Sequence, residues 1–352
     1  MDESAVLLPC AEQQQLLHEL AALDSADAAP ALAGRLRRFL LALAGRGLDG
    51  GAMTQLVSQF NDRLSQRLIA LTAQRHRLPP VDWCWLAMGS EGRHEQTFVT
   101  DQDNGLVFNA SDDREAEALR ALFLPFAQEV NRRLAECGFA LCSGGIMAGN
   151  PAWCLSYDEW RERFIDWVRR PEPTALLNAT IFFDLRPLYG RLELGEDLRS
   201  LILGLTTDTP AFQHQMAANA LHTAVPLNFR GGVAADEAGE LDLKKFGSRI
   251  FVDAARIFAL ATGARAVNTV ERLRAAGREV GLAPLEIASA EAAFGHVLRL
   301  RLGQQLAARR GDEIDDDGLK PATLHQVDTV ILLESLRQAR LMQQRLKLNY
   351  VL

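Results

Sequence analysis

The sequence predicts an α+β protein in which a small sheet sits between two helical regions. Residues 11–75 and most of the chain after about 196 carry leucines and aromatics at helical spacing. Between them, residues 81–88 and 103–108 are short, mostly apolar runs bounded by glycine or aspartate, which suits buried strands. A chain of 352 residues has room for two or three such units. We divide it into a helical lead-in (1–78), an α/β core (79–195) and a C-terminal helical bundle (196–352).

Taken in order, Leu16, Leu17, Leu20 and Leu23 mark a first helix, and Leu36, Phe39, Leu40 and Leu43 a second. Glycines at 47–51 interrupt the pattern before Phe60, Leu64, Leu68 and Leu71 resume it, and Pro79-Pro80 end it. In the core, residues 112–136 form a long helix with Leu119, Leu122, Phe123, Phe126, Val130 and Leu134 along one side. Residues 139–142 are the next strand candidate. Residues 157–170 form another helix, whose Trp160, Phe164 and Trp167 stripe reads as core. Residues 174–183 have helical spacing early and a β-like Thr-Ile-Phe-Phe later, so both states stay open. Helical patterns then run through 210–225, 244–262, 266–280, 284–309 and 321–347, and an antiparallel bundle is the natural arrangement. The acidic residues 312–317 do not have EF-hand spacing and read as a solvated loop.

The chemistry concentrates in Gly89-Ser90-Glu91-Gly92-Arg93-His94-Glu95-Gln96-Thr97, followed by Thr100-Asp101-Gln102-Asp103-Asn104. A strand stops at a Gly-Ser turn, and Ser90 is placed to cap a short helix. Free N–H groups and a positive dipole end at a helix start favour phosphate. Gly89 lets the backbone approach a ligand closely. Asp101 and Asp103 alternate on entry to the second strand, so they point the same way while Gln102 points away. Two adjacent carboxylates repel. A divalent cation reverses that, because Mg²⁺ takes hard oxygen ligands and bridges one or two carboxylates to substrate phosphates. Two such ions about 3.5–4 Å apart would serve the attacking and leaving oxygens of a displacement. An Asp-x-Asp by itself is also what a solvated loop contains; the order strand, Gly-Ser, helix, Asp-x-Asp, strand is what points to phosphoryl or nucleotidyl transfer.

Other classes fit less well. There is no Gly-x-x-x-x-Gly-Lys-Ser/Thr and no Gly-x-Gly-x-x-Gly after a strand, which argues against a P-loop ATPase and a dinucleotide fold. A net charge of −7 argues against non-specific nucleic-acid binding. No apolar run approaches the ~20 residues that span a bilayer, and the acidic Met1-Asp2-Glu3-Ser4 does not read as a signal peptide. Cys10, Cys84, Cys137, Cys142 and Cys154 form no Cys-x-x-Cys pair, so zinc is not expected and reduced thiols in a cytoplasmic protein are. Cys142, just before Gly144-Gly145, could sit near the pocket without being catalytic.

The two-part motif resembles the signature of bacterial nucleotidyltransferases related to the uridylyltransferase that modifies the PII signalling protein. Further blocks extend the resemblance over roughly positions 50–350: Ser143-Gly144-Gly145-Ile146-Met147-Ala148 with Asn150-Pro151-Ala152-Trp153; Ile181-Phe182-Phe183-Asp184-Leu185-Arg186-Pro187; Leu241-Asp242-Leu243-Lys244-Lys245; and Asn268-Thr269-Val270-Glu271-Arg272-Leu273. The resemblance implies a DNA-polymerase-β-like core with a helical substrate-binding domain downstream. It implies Gly89 and Ser90 at the triphosphate, Asp101 and Asp103 on Mg²⁺, and transfer of a nucleoside monophosphate with release of pyrophosphate. CBS domains often precede this core in the family, and no CBS pattern is evident here.

Such enzymes usually add a third carboxylate on a later strand, and residues 139–142 carry none. Asp184 is the first candidate for the role and Glu136 the second; Asp184 reads equally as a structural partner of Arg186 or as a cap. Arg93 is expected to steady the departing pyrophosphate, and Lys244 and Lys245 to reach the phosphates across a cleft, with Arg249 and Arg256 extending that surface. Arg272, Arg274 and His94 are weaker candidates. The expected function is Mg²⁺-dependent transfer from an NTP to an acceptor hydroxyl, which by resemblance could be on a protein. The alternatives are a nucleotide-binding regulatory protein without chemistry, and a scaffold with a vestigial core.

Overall fold

The computed structural model describes residues 11–46, 49–229, 231–308 and 318–352. Met1-Asp2-Glu3-Ser4, Cys10 and the acidic stretch 312–317 lie outside them. The lead-in is helical as the spacing predicts: α1 (Ala11–Ala22), α2 (Ala29–Ala44) and α3 (Gly50–Ala73). Asp49 caps α3 by accepting from the Ala52 N–H at 3.0 Å. The predicted stripe Phe60, Leu64, Leu68 and Leu71 is buried along it.

The core then runs β1 (Trp83–Ala87), a single helical turn α4 (Gly89–Gly92), β2 (Asn104–Phe108), α5 (Asp113–Glu136), β3 (Cys154–Ser156), α6 (Tyr157–Arg169), α7 (Pro173–Phe182), β4 (Arg186–Gly190) and α8 (Leu192–Thr207). The strand order is β3-β2-β1-β4. β1 is antiparallel to both neighbours, and β2 pairs parallel with β3. Alternation decides which face each residue covers. Cys84, Leu86 and Val107 enter the apolar cluster that continues into the C-terminal helices. Trp85, Ala87, Leu106 and Phe108 enter the cluster built with the lead-in helices and α5. Both faces are covered, so the two central strands are apolar almost throughout.

The structure departs from the sequence expectation at residues 139–142. Residues 139–142 form no strand; they make a single bridge, Asp101 to Ala140, and β3 takes the place beside β2. β4 carries a proline, which an edge strand tolerates because the missing N–H breaks no ladder bond there; a register shift at Trp85/Leu86 accommodates Pro187 opposite Leu86. α8 runs through positions 195 and 196 without a break. The open segment 174–183 is helix α7, with Pro173 in its first turn.

The C-terminal half comprises α9 (Pro210–Ala220), a π-helical turn (Lys244–Ser248), α10 (Arg249–Thr262), α11 (Thr269–Ala276), α12 (Pro284–Ala307) and α13 (Gln326–Tyr350). α10 is buried from Ile250 to Leu260 and forms the axis around which the others pack. Among the described residues no helix is long and apolar enough to cross a membrane.

The aromatic stripe of α6 packs as core. Trp160 is fully buried, stacks on Trp153 and Phe164, and donates from its ring N–H to the Leu106 carbonyl at 3.1 Å. Trp160→Ala should therefore remove about 3–5 kcal/mol of stability, read as a lowered midpoint in urea unfolding.

Candidate active site

The site starts at the end of β1. Met88, not Ser90, occupies the N-cap position of α4, and no side chain caps that turn. Ser90 lies within the turn and faces a cavity. Gly89 has φ +54°, and a Cβ there would lie 2.5 Å from Asp103 Oδ2. A side chain at 89 would push the carboxylate off the turn. A Cβ at Gly92 would lie 2.1 Å from the Asp184 carbonyl. These two glycines let the turn nest between the second aspartate and the entry to β4.

Asp101 and Asp103 both line the cavity, as alternation predicts. Gln102 points the other way and is fully buried, donating to the carbonyls of Asn131 (2.9 Å) and Phe139 (3.1 Å). The Met88 N–H donates to the Asp103 carbonyl at 2.9 Å, tying the turn to the Asp-x-Asp segment. Burial, and then the charge of Asp101, push Asp103 up to about 6, while a hydrogen bond from the Cys142 thiol pulls it down. Burial raises Cys142 in turn, so it stays a thiol beside the pocket. Beneath the turn, burial and Asp62 push Glu91 up to about 8, against the pull of Arg186.

The cavity holds about 360 Å³. One wall is the turn and the two aspartates. The other comes from the π turn, α10 and α12, and brings Lys244, Lys245, Arg249 and Arg301. Lys244 Nζ stands 3.8 Å from Asp101 Oδ1. Sequence reasoning missed Arg301 as well as Glu95, Asp242 and Asp253, which also line the space. Glu95 and Asp253 are held by arginines, whereas Asp242 is exposed.

Several expected residues stand elsewhere. Asp184 is fully buried, is not part of the cavity lining, and accepts from Arg93, Arg256 and Arg272. With both oxygens engaged it is not placed as a third metal carboxylate. Nor does it pair with Arg186, which bonds Asp62 and the carbonyls of Glu91 and Gly92. Glu136 pairs on the surface with Arg132 and Arg133. His94 (φ +56°) turns toward Asp62, and Arg274 pairs with Glu291. Arg256 does reach the cavity, buried and fully paired, whereas Arg272 stays behind it.

Among the described residues no three His, Cys, Asp or Glu side chains converge to hold a metal ion. Two carboxylates completed by substrate phosphates are, however, the donor set that Mg²⁺ takes in nucleotide sites. The hard oxygens of Asp101 and Asp103, crowded enough to raise one of them, fit such an ion.

Comparison with known families finds two matches. The model for the putative nucleotidyltransferase family DUF294 matches residues 34–174, and that for the putative nucleotidyltransferase substrate binding domain matches residues 210–350. The chain belongs to this nucleotidyltransferase family. No curated protein matches it. Both matched segments of the nucleotidyltransferase contribute to one cavity: the first carries the turn and the two aspartates, the second the lysines and the arginines opposite.

The raised Asp103 has a consequence for stability. The folded protein keeps a proton there at pH values where the unfolded chain has lost it, so this group's contribution falls as pH rises from about 4 to about 6. Asp103→Asn should stabilise the ligand-free protein on the order of 1–3 kcal/mol above that range and not below it. Melting temperatures of both proteins across pH check this.

Proposed function

We propose that the protein is a Mg²⁺-dependent nucleotidyltransferase that moves a nucleoside monophosphate from an NTP to an acceptor hydroxyl. The observation that carries this reading is the closeness of the Gly89 turn to Asp103, across one cavity from Lys244 and Lys245. Asp101 and Asp103 are the proposed metal ligands, and bound Mg²⁺ supplies charge neutralisation at the phosphates and at the attacking oxygen. Ser90 and the backbone at Gly89 hold the triphosphate on one side. Arg93, Lys244 and Lys245 stabilise the negative charge that builds on the departing pyrophosphate. The acceptor oxygen attacks the α-phosphorus in line, the bond to the β-phosphate oxygen breaks, and the hydroxyl proton passes to water. A protein tyrosine, as in PII uridylylation, is the acceptor class the family resemblance suggests, with a cytoplasmic setting.

One observation favours a second reading. With no third carboxylate beside Asp101 and Asp103 among the described residues, the site could bind a nucleotide as a regulatory signal without transferring it.

Binding of the four NTPs with and without Mg²⁺, together with pyrophosphate release, separates the two. Metal-dependent binding of one NTP, lost by at least about tenfold in Asp101→Asn/Asp103→Asn, is the expected result. Pyrophosphate release in the presence of acceptor supports transfer, and a stable complex without release supports the sensor. Binding indifferent to both metal and substitution would defeat both.

A further inference from the structure

Three guanidiniums meet the Asp184 carboxylate, but they are not equivalent. Arg256 gives Nε (2.9 Å) and Nη2 (2.6 Å) to Asp184 and Nη1 to Asp253 (2.7 Å). Arg272 gives Nη1 to Asp184 (2.6 Å), Nε to the Ala266 carbonyl and Nη2 to the Phe183 carbonyl. Both have every nitrogen engaged. Arg93 gives Nε to Glu95 (2.8 Å) and Nη1 to Asp184, and its Nη2 has no protein partner among the described residues. Arg93 also lines the cavity beside Ser90 and Asp103.

A guanidinium is planar, so fixing Nε and Nη1 fixes the direction of Nη2. Glu95, Asp184 and Asp253 equal the three arginines in number. What Arg93 offers an anion is therefore an aimed donor more than surplus charge. The clamp is itself held from the C-terminal half: the Thr269 N–H at the start of α11 donates to the second oxygen of Glu95 at 2.6 Å, and Asn268 Nδ2 donates to the Arg93 carbonyl at 3.2 Å.

We infer that Asp184 and Glu95 are positioning residues that orient Arg93 so that its Nη2 receives a phosphate group of the nucleotide. The inference rests on the cavity being the triphosphate site, and it adds what the helical half does there: it aims an arginine that belongs to the other half. Preorganisation of this kind raises affinity because the side chain's freedom is lost before the ligand arrives.

The test is a double-mutant cycle on the full chain, read as binding of Mg²⁺-tripolyphosphate and of NTP. Arg93→Gln should weaken both by about tenfold or more, since a charge-assisted bond to phosphate is removed. Glu95→Gln should weaken both several-fold in the wild-type background and add almost nothing in the Arg93→Gln background, because its effect passes through Arg93. Asp184→Asn should behave alike where it folds, and Glu95→Gln decides the matter where it does not. Arg93→Lys should fail to restore binding, since one ammonium cannot serve two carboxylates and a phosphate in a fixed plane. Additive losses, or full binding in Glu95→Gln, would overturn the positioning role while leaving the nucleotide site standing. A wild-type chain that binds neither probe would overturn the nucleotide site, and the positioning role with it.

Discussion

A carboxylate with no access to water, matched by three guanidiniums, is the interaction on which this structure turns. Burial disfavours the charge on Asp184, but Arg256, Arg272 and Arg93 outweigh that and hold it well below the usual carboxylate range. It stays ionised at any working pH. Removing one member of such a cluster leaves charge stranded in a medium that cannot solvate it, which is why buried ion pairs are costly to break. The partners come from the end of α4, from α10 and from α11, so these segments are held to one another by the same requirement. Gly92 belongs to this arrangement too, because only a residue without a Cβ lets the turn lie against the Asp184 backbone.

The cavity beside it follows the opposite logic. There Asp101 and Asp103 crowd each other, and no arginine pairs with either among the described residues. Asp103 is raised by burial and by its neighbour Asp101, and Glu91 under the turn is raised further still. Lys244 approaches Asp101 only to 3.8 Å, and both side chains are largely exposed, so that pair contributes little. The molecule thus contains two kinds of aspartate: one kept ionised by arginines, the other raised by burial and by a like charge beside it.

Much of this was legible in the sequence, and the limits are physical. β1, α4 and β2 were readable because their signals are local: an apolar run, a glycine at the turn, aspartates in alternation. α5 and α6 were readable because a long amphipathic period survives single exceptions. β3 was not, being three residues long and made by a parallel pairing that sequence proximity does not announce. β4 was hidden by Pro187, which reads as a strand breaker until its edge position is known. The place of Asp184 was illegible for a different reason. Its partners lie 91, 72 and 88 residues away, and nothing in local spacing distinguishes a metal carboxylate from one enclosed by arginines. Arg301 likewise sits on α12, whose periodicity identifies the buried face and not the neighbour across it.

The apolar cluster that begins at Cys84 in β1 ends at Leu346 in α13, and the Asp184 network spans much of the same distance. This sets an order in time as well as in space. On the ribosome, Arg93 is made roughly 180 residues before Arg272, and domains otherwise tend to fold from the N-terminus as they emerge. Here the turn that bears the motif leaves the exit tunnel long before α11 exists to hold it, and Asp184 lacks two of its three arginines until Arg256 and Arg272 are made. The nascent chain carries the motif without its geometry, and the site is completed only once α10, α11 and α12 have been made.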